Sequence, residues 1–337
     1  MNRTAPHILE LSMLVAGTMI MTLSVYWDAW WHEAIGRESF WIPPHLGIYA
    51  GLFISLGGFF LLYKLYRGRI PRPLWVYAGG ITGIIVSGYA DELWHQRFGV
   101  EKVGTLATIW SPTHVAALAG GLVAALGIML YLSAATKTDG RLGWLLAGEF
   151  GVLVSIVTLL LLPLGPETPF RLAGIWGAAP VAFVILALRF FGSVLSERPW
   201  SLTLITGFNW TGNAILLSNH APPVTMGELV AVGLIPPVIA DLLIQRGRRT
   251  KMVRNYYTLA GIEWGVIFGA FFYLLTNQLS FATSYAPWDV TSLAIIGTTS
   301  AIASVLAGFL AGSSSQKRVL ARTLLLAKAE IPTGSRA

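Results

Sequence analysis

The chain has 337 residues, of which 55% are hydrophobic and 12% charged, and its mean hydropathy is +0.65. A soluble domain has about 45–50% apolar and about 25% charged residues, so this composition predicts an integral membrane protein. The absence of cysteine excludes disulfides, thiolate metal sites and iron–sulfur clusters. The formal charge of +7 requires no nucleic acid partner, because the positive-inside rule for membrane proteins accounts for it.

A helix needs about 20 apolar residues to cross a bilayer. The chain offers ten such runs, at about 9–31, 45–66, 73–94, 113–135, 143–164, 170–191, 201–218, 226–245, 257–276 and 289–312. We therefore predict an all-α, polytopic helix bundle that forms a single transmembrane domain over residues 1–312. The first run is too long for a signal peptide and is expected to be an uncleaved span. Residues 313–337 are expected to form a basic cytoplasmic tail, with an interfacial helix over 319–329.

Lysine and arginine predict how the chain is oriented in the membrane. Only four of the 23 basic residues lie in the odd-numbered connections, namely Arg37, Arg97, Lys102 and Arg171. By the positive-inside rule, both termini are cytoplasmic and the odd-numbered connections lie outside the plasma membrane.

Each outer connection leads through proline into the following run. The residues concerned are Pro43, Pro112, Pro169, Pro222 and Pro287. Proline suits the first turn of a helix, where its missing N–H has no partner to lose. The pattern predicts five helical hairpins that repeat one ancestral hairpin, although any helix start favours proline. Residues 1–135 would form two hairpins with metal-binding motifs, and 143–312 three degenerate ones.

The first hairpin carries one carboxylate and two imidazoles at its outer end. Asp28 and His32 are spaced i, i+4, which places them on one helical face. His45 follows Pro43 and Pro44 at the start of the returning helix. Because an antiparallel hairpin brings these helix ends together, we expect all three side chains to converge.

The second hairpin repeats the arrangement with Asp91, His95 and His114, although 18 residues rather than 12 separate its histidines. One carboxylate with two imidazoles is a ligand set for copper, non-haem iron or zinc. The alternative is a structural one, since Asp, His and Trp are also common at membrane interfaces. We favour metal because the pattern occurs twice. Four neighbours are expected to orient the ligands: Trp31, Arg37, Trp94 and Arg97.

These motifs resemble the C subunit of the copper membrane monooxygenases, the particulate methane and ammonia monooxygenase family. The resemblance covers residues 20–130 and is carried by Asp28, Trp31, His32, Arg37, Phe40, Pro43 and His45. It implies copper, an oxygenase assembly in the membrane, and A- and B-type partner subunits. Two departures concern the second motif, where Asp91 stands in place of the family's Asn and the gap to His114 is longer. A third is that the first motif opens this chain, whereas it lies mid-chain in the family.

The other three hairpins lack the full ligand set. In the fourth, Asn209 and Asn213 stand where Asp and His would be, and Val224 replaces the third ligand. His220 is expected to form ordinary hydrogen bonds there. The third hairpin offers an ion pair of Glu167 with Arg171, and the fifth has no histidine.

Two acidic residues, Glu149 and Glu263, lie within predicted spans. Charges at such depth are functional candidates, so they suggest a proton path or support for the metal sites. Pro236 and Pro237 are predicted to break and kink the eighth span.

Three functions remain open at this point. The first is a component of a copper-dependent oxygenase, and the second a non-catalytic copper protein for delivery, assembly or accessory binding. The third is a solute transporter, which is the weakest because it gives His45 and His114 no role. Whether the chain is itself an enzyme stays open. Its partners would be the lipid bilayer with A- and B-type subunits or further copies of itself.

Overall fold

The structure is a computed structural model that describes residues 7–36, 39–99, 110–137, 139–164, 177–218, 223–276 and 290–329. The described part is all-helical, with ten α-helices and one 3₁₀ turn at Leu162–Leu164. The helices are α1 Ile8–Ala34, α2 Pro43–Leu65, α3 Arg72–Phe98, α4 Pro112–Ala135, α5 Leu142–Leu161, α6 Ala178–Ser196, α7 Ser201–Leu217, α8 Pro223–Thr250, α9 Val253–Thr276 and α10 Val290–Ala329.

Each predicted apolar run coincides with one of these helices. Six segments are long and apolar enough to cross a membrane, and they lie in α1, α2, α4, α5 with its 3₁₀ extension, α6 and α10. Large apolar side chains cover the outer surface of the bundle, among them Phe53 at 71% exposure and Tyr89 at 69%. Extensive exposed apolar surface is rare on soluble monomers, so this exterior suits lipid better than water.

Two helices differ from the sequence prediction, and a third is only partly described. Helix α6 begins at Ala178, and the predicted start over 170–176 lies outside the described residues. Helix α8 contains Pro236 and Pro237 in its interior, so the predicted break is wrong. Helix α10 runs unbroken to Ala329, so 319–329 is the end of that helix rather than a separate interfacial one.

The turns that bound the first two hairpins follow from proline, serine and glycine. Pro43 and Pro44 form the first turn of α2, and Ser111 accepts a hydrogen bond from the His114 backbone N–H at 3.2 Å to cap α4. Gly36, just beyond α1, and Gly99, just beyond α3, have φ values of 90° and 83°. Glycine tolerates this left-handed backbone without steric cost. Both helices can therefore end within a few residues of their own histidine, His32 in α1 and His95 in α3.

Helices α1 and α2 touch through small residues. A Cβ atom built on Gly51 would lie 2.6 Å from the Gly17 carbonyl oxygen, and one built on Gly58 would lie 2.9 Å from that of Glu10. Membrane helices use small residues in this way to bring backbones together. A larger side chain at Gly51 would force the two helices apart.

Helices α3 and α4 repeat this contact in the same register. A Cβ atom on Gly120 would lie 2.9 Å from the Gly80 carbonyl oxygen, and one on Gly127 would lie 2.7 Å from that of Pro73. Gly51 and Gly120 each lie six residues after the last histidine of their motif. Gly17 and Gly80 each lie eleven residues before the aspartate. The two hairpins therefore place their motifs at equivalent points of the same helix crossing.

Helix α5 lies at the centre of the bundle, where it packs on α1, α4, α6 and α7. It is buried along most of its length, from Leu142 to Leu159. Helices α2 and α3, by contrast, make few contacts with each other. The first two hairpins are therefore joined mainly through α1, α4 and α5, with space left between them.

Gly80→Ala and Gly79→Ala form a matched pair of substitutions on α3. The new Cβ at position 80 would overlap the α4 backbone at Ala124, whereas nothing lies within 4 Å of one at position 79. We expect Gly80→Ala to destabilise the protein by about 1–3 kcal/mol, the usual cost of overpacking. Gly79→Ala is expected to be neutral or slightly stabilising. Thermal unfolding in detergent would measure both, and equal stability of the variants would contradict the close-packed crossing.

Candidate metal centres

The first candidate centre joins the end of α1 to the start of α2. The Oδ1 atom of Asp28 lies 3.4 Å from Nε2 of His32 and 3.2 Å from Nε2 of His45. The three side chains are 12–21% exposed, so water has only limited access to them. One carboxylate oxygen thus lies close to two imidazoles, one from each helix of the hairpin.

The tautomer of His45 is fixed by a backbone contact. Its Nδ1–H donates a hydrogen bond of 2.8 Å to the carbonyl oxygen of Phe40, in the connection between α1 and α2. In the neutral ring this leaves a lone pair on Nε2, directed at Asp28. Metal-binding histidines are commonly oriented in this way by a hydrogen bond from the other ring nitrogen.

The second candidate centre has the same design at the end of α3 and the start of α4. Each oxygen of Asp91 contacts a different histidine. Oδ2 lies 3.1 Å from Nε2 of His95, and Oδ1 lies 3.3 Å from Nε2 of His114. The Nδ1 atom of His95 donates to the carbonyl oxygen of Gly99 at 3.2 Å. In each of the two groups the three potential ligand atoms lie within 4.8 Å of one another.

The distances in these groups can be compared with those of an ion pair and of a metal site. Hydrogen bonds from a charged N–H to a carboxylate are about 2.7–2.9 Å long, and all four contacts here are longer, at 3.1–3.4 Å. Metal bonds of about 2.0–2.1 Å at tetrahedral angles place neighbouring ligand atoms about 3.3 Å apart. The observed distances between carboxylate oxygen and imidazole nitrogen are close to this value.

The two centres differ in what holds the carboxylate. The Thr113 hydroxyl donates a hydrogen bond of 2.7 Å to Oδ1 of Asp91. Pro44, the residue before His45, occupies the equivalent position in the first centre and has no hydroxyl to donate. Oδ1 of Asp28 is buried and accepts no hydrogen bond. Among the described contacts, a hydroxyl group therefore orients the second carboxylate but not Oδ1 of the first.

Both centres line one cavity of about 390 Å³ between the first two hairpins. Apart from the ligand groups its wall is mostly apolar and includes Val25, Ile48, Leu52, Ile84 and Ile156. A small molecule in this space would meet both sets of ligands. This shared cavity was not predicted, because the two motifs lie far apart in the sequence.

The structure brings together all six residues predicted as ligands, in two groups of three. The predicted supporting residues are a different matter. Trp31 packs edge-on against Trp27, and the ring of Trp94 lies 4.4 Å from that of Phe98. Arg97 is exposed. Among the hydrogen bonds and ring contacts given above, none joins these three residues to a ligand, and Arg37 lies outside the described residues, so a supporting role for the four stays a prediction.

Sequence reasoning missed the groups that do orient the ligands. Two are backbone carbonyls, of Phe40 and Gly99, which carry no signal in the sequence. The third is Thr113, whose position directly before His114 was visible but resembled any threonine at a helix start. These contacts depend on the turn conformation, which the motif spacing alone does not determine.

The remaining candidates lie elsewhere. Asn209 accepts a hydrogen bond from Arg189 and donates to the hydroxyls of Ser155 and Thr158, so it belongs to a separate buried network. The backbone carbonyl of Asn209 also accepts a hydrogen bond from Asn213. His220, Glu167, Arg171 and the residues of the fifth outer connection lie outside the described part.

Comparison with protein-family models, curated proteins and solved structures gives no match to this chain.

Thr113→Val tests the asymmetry between the centres. Removing a hydrogen bond to a ligating carboxylate typically costs 10–100-fold in metal affinity, so we expect that loss at the second centre alone. The titration should use a His45→Ala background, in which only the second centre is complete. Thr82→Val is the control, because the Thr82 hydroxyl donates only to its own helix, at Ala78. Equal affinities of the two variants would contradict the assigned role of Thr113.

Proposed function

We propose that the protein is a multi-pass membrane protein that binds two metal ions, one at the end of each of the first two hairpins. The observation that supports this most strongly is the recurrence of one carboxylate and two imidazole nitrogens within 4.8 Å at equivalent points of two helix crossings. The ligands would be Asp28, His32 and His45 in the first centre and Asp91, His95 and His114 in the second.

Copper is the proposed metal. A site of two imidazoles and one carboxylate suits copper, iron and zinc, and the resemblance of the motifs to copper membrane monooxygenases favours copper among them. Bound copper would supply dioxygen binding and one-electron chemistry. The chain itself would hold the ligand nitrogens in the correct tautomer through the carbonyls of Phe40 and Gly99. Its apolar cavity wall would limit the access of water.

The proposed topology has ten spans in five hairpins, with both termini in the cytoplasm and both centres at the outer face of the plasma membrane. The distribution of basic residues supports this orientation. The matched register of the first two hairpins supports a duplication of one ancestral unit, at least for residues 1–135.

Within this proposal, the chain would be a component of a copper-dependent oxygenase with A- and B-type partner subunits. The shared cavity favours that role, since a small apolar substrate there would contact both centres. The second candidate is a copper delivery or accessory protein, whose partners would be further copies of itself. The 32% exposure of the His114 side chain favours it, because a partly exposed ligand suits metal exchange with a partner.

Metal analysis of the purified protein tests the proposal. We expect two copper ions per chain in the wild type, one in His45→Ala and none in His45→Ala/His114→Ala, because each substitution removes a ligand from one centre. His7→Ala is the matched control, since His7 packs against Tyr66 away from both centres and its loss should leave both ions bound. The same low metal content in all four proteins would overturn the proposal.

A further inference from the structure

A buried carboxyl group lies deeper in the bundle than the two candidate centres. Glu149 is fully buried on α5, where this helix packs on α1. Its Oε2 atom lies 2.9 Å from the Thr18 hydroxyl, and its Oε1 atom is buried without any hydrogen bond. No lysine, arginine or histidine in the described part of the chain pairs with it, and Tyr77 on α3 is the titratable group that faces it.

The hydrogen bonds of Thr18 leave two arrangements for this carboxyl group, one protonated and one ionised. The Thr18 hydroxyl has one hydrogen but lies 2.8 Å from the Val15 carbonyl oxygen and 2.9 Å from Oε2 of Glu149. If the hydrogen is donated to Val15, Glu149 must carry a proton and donate it to Thr18. If the hydrogen is donated to Glu149, the ionised carboxylate is buried with a bare oxygen, which is unfavourable without a bound cation.

A second buried oxygen lies close to this part of α1. The Ser55 hydroxyl is fully buried and lies within hydrogen-bonding reach of the Tyr77 phenol. It lies against Gly17, the residue before Thr18, in space that a Cβ atom at position 17 would fill. The polar groups of Glu149, Thr18 and Ser55 all offer oxygen atoms. Carboxylate and hydroxyl oxygens are ligands for hard cations.

The carboxyl group lies near the cavity that contains the candidate centres, on two helices that line it. The Thr22 hydroxyl donates a hydrogen bond of 2.8 Å to the carbonyl oxygen of Thr18, and Thr22 lines the cavity. Ile156 also lines it and follows Glu149 by seven residues on α5. Two helical turns span about 10 Å. A cation at Glu149 would therefore lie within about two helical turns of the cavity wall.

We infer that Glu149 is an exchangeable binding site for a monovalent cation in the interior of the bundle, occupied by a proton or by Na⁺ in its place. On proton loss the carboxylate would accept the Thr18 hydrogen bond, and the charge would be balanced by the incoming cation. The inference does not depend on metal binding at the two centres, because none of their ligands takes part.

Infrared difference spectroscopy of the full chain in lipid vesicles tests this inference. We expect the C=O stretching band of a protonated carboxylic acid that disappears in Glu149→Gln and shifts to higher frequency in Thr18→Val, which removes a hydrogen bond. Raising the pH, or adding Na⁺ at constant pH, should remove most of the band. Loss with pH alone would identify a proton site, and loss with Na⁺ would identify a site for either cation.

Glu263→Gln is the matched control, because Glu263 on α9 has two buried oxygens without hydrogen bonds but lies outside this group. That variant should retain the pH response assigned to Glu149. A wild-type band that stays constant across pH and Na⁺ would overturn the inference, since the proton would then be a permanent part of the fold. Absence of any protonated acid band that depends on Glu149 would overturn it too. The Thr18→Val spectrum keeps the test informative if Glu149→Gln fails to fold.

Discussion

The contact on which this structure depends is the shared carboxylate at the end of each close-packed hairpin. Asp28 faces imidazoles from its own helix and from the returning one, and Asp91 does the same. The contact between Asp28 and His45 exists only because α1 and α2 approach closely enough for side chains of ordinary length to meet. The glycines that allow this approach, Gly17 and Gly51, lie deep in the hairpin and never touch the ligands.

This arrangement explains why two hairpins that differ in most other residues have the same ligand geometry. The helix crossing fixes the register, and the register fixes which residues meet at the outer end. The connections can then differ in length without moving the ligands, since 12 residues separate the histidines in the first hairpin and 18 in the second. What differs is local, chiefly Thr113 in place of Pro44.

The sequence predicted much of this because the relevant signals are periodic or local. Apolar runs predicted all ten described helices, and i, i+4 spacing with proline at helix starts predicted both ligand groups. The failures have physical reasons too. Pro236 and Pro237 remain inside α8. Proline has no N–H to donate, and in membrane proteins neighbouring helices can supply hydrogen bonds to the carbonyl groups left without a partner. The position of Glu149 beside Thr18 depends on how α5 packs on α1, which no local pattern records.

Two groups of polar side chains result, the six candidate ligands at the ends of the first two hairpins and the group around Glu149 in the bundle interior. The candidate ligands are imidazole nitrogens and carboxylate oxygens, in two equivalent sets. The group around Glu149 offers only oxygen atoms. The apolar cavity is lined by the six candidate ligands and by other residues from the first five helices. Under the two proposals made above, the protein would hold metal ions at the hairpin ends and exchange a second cation in the bundle interior.

The measurement that tests the central claim most directly is pulsed electron paramagnetic resonance of the protein loaded with Cu²⁺. It counts the imidazole nitrogens coupled to each ion. The account predicts two imidazoles per ion in the wild type. In His32→Ala or His95→Ala it predicts loss of the Cu²⁺ signal from the altered centre, because each substitution removes one of that centre's three ligands. Copper coupled to no imidazole, or a Cu²⁺ signal unchanged by either substitution, would show that these histidines do not form the metal centres.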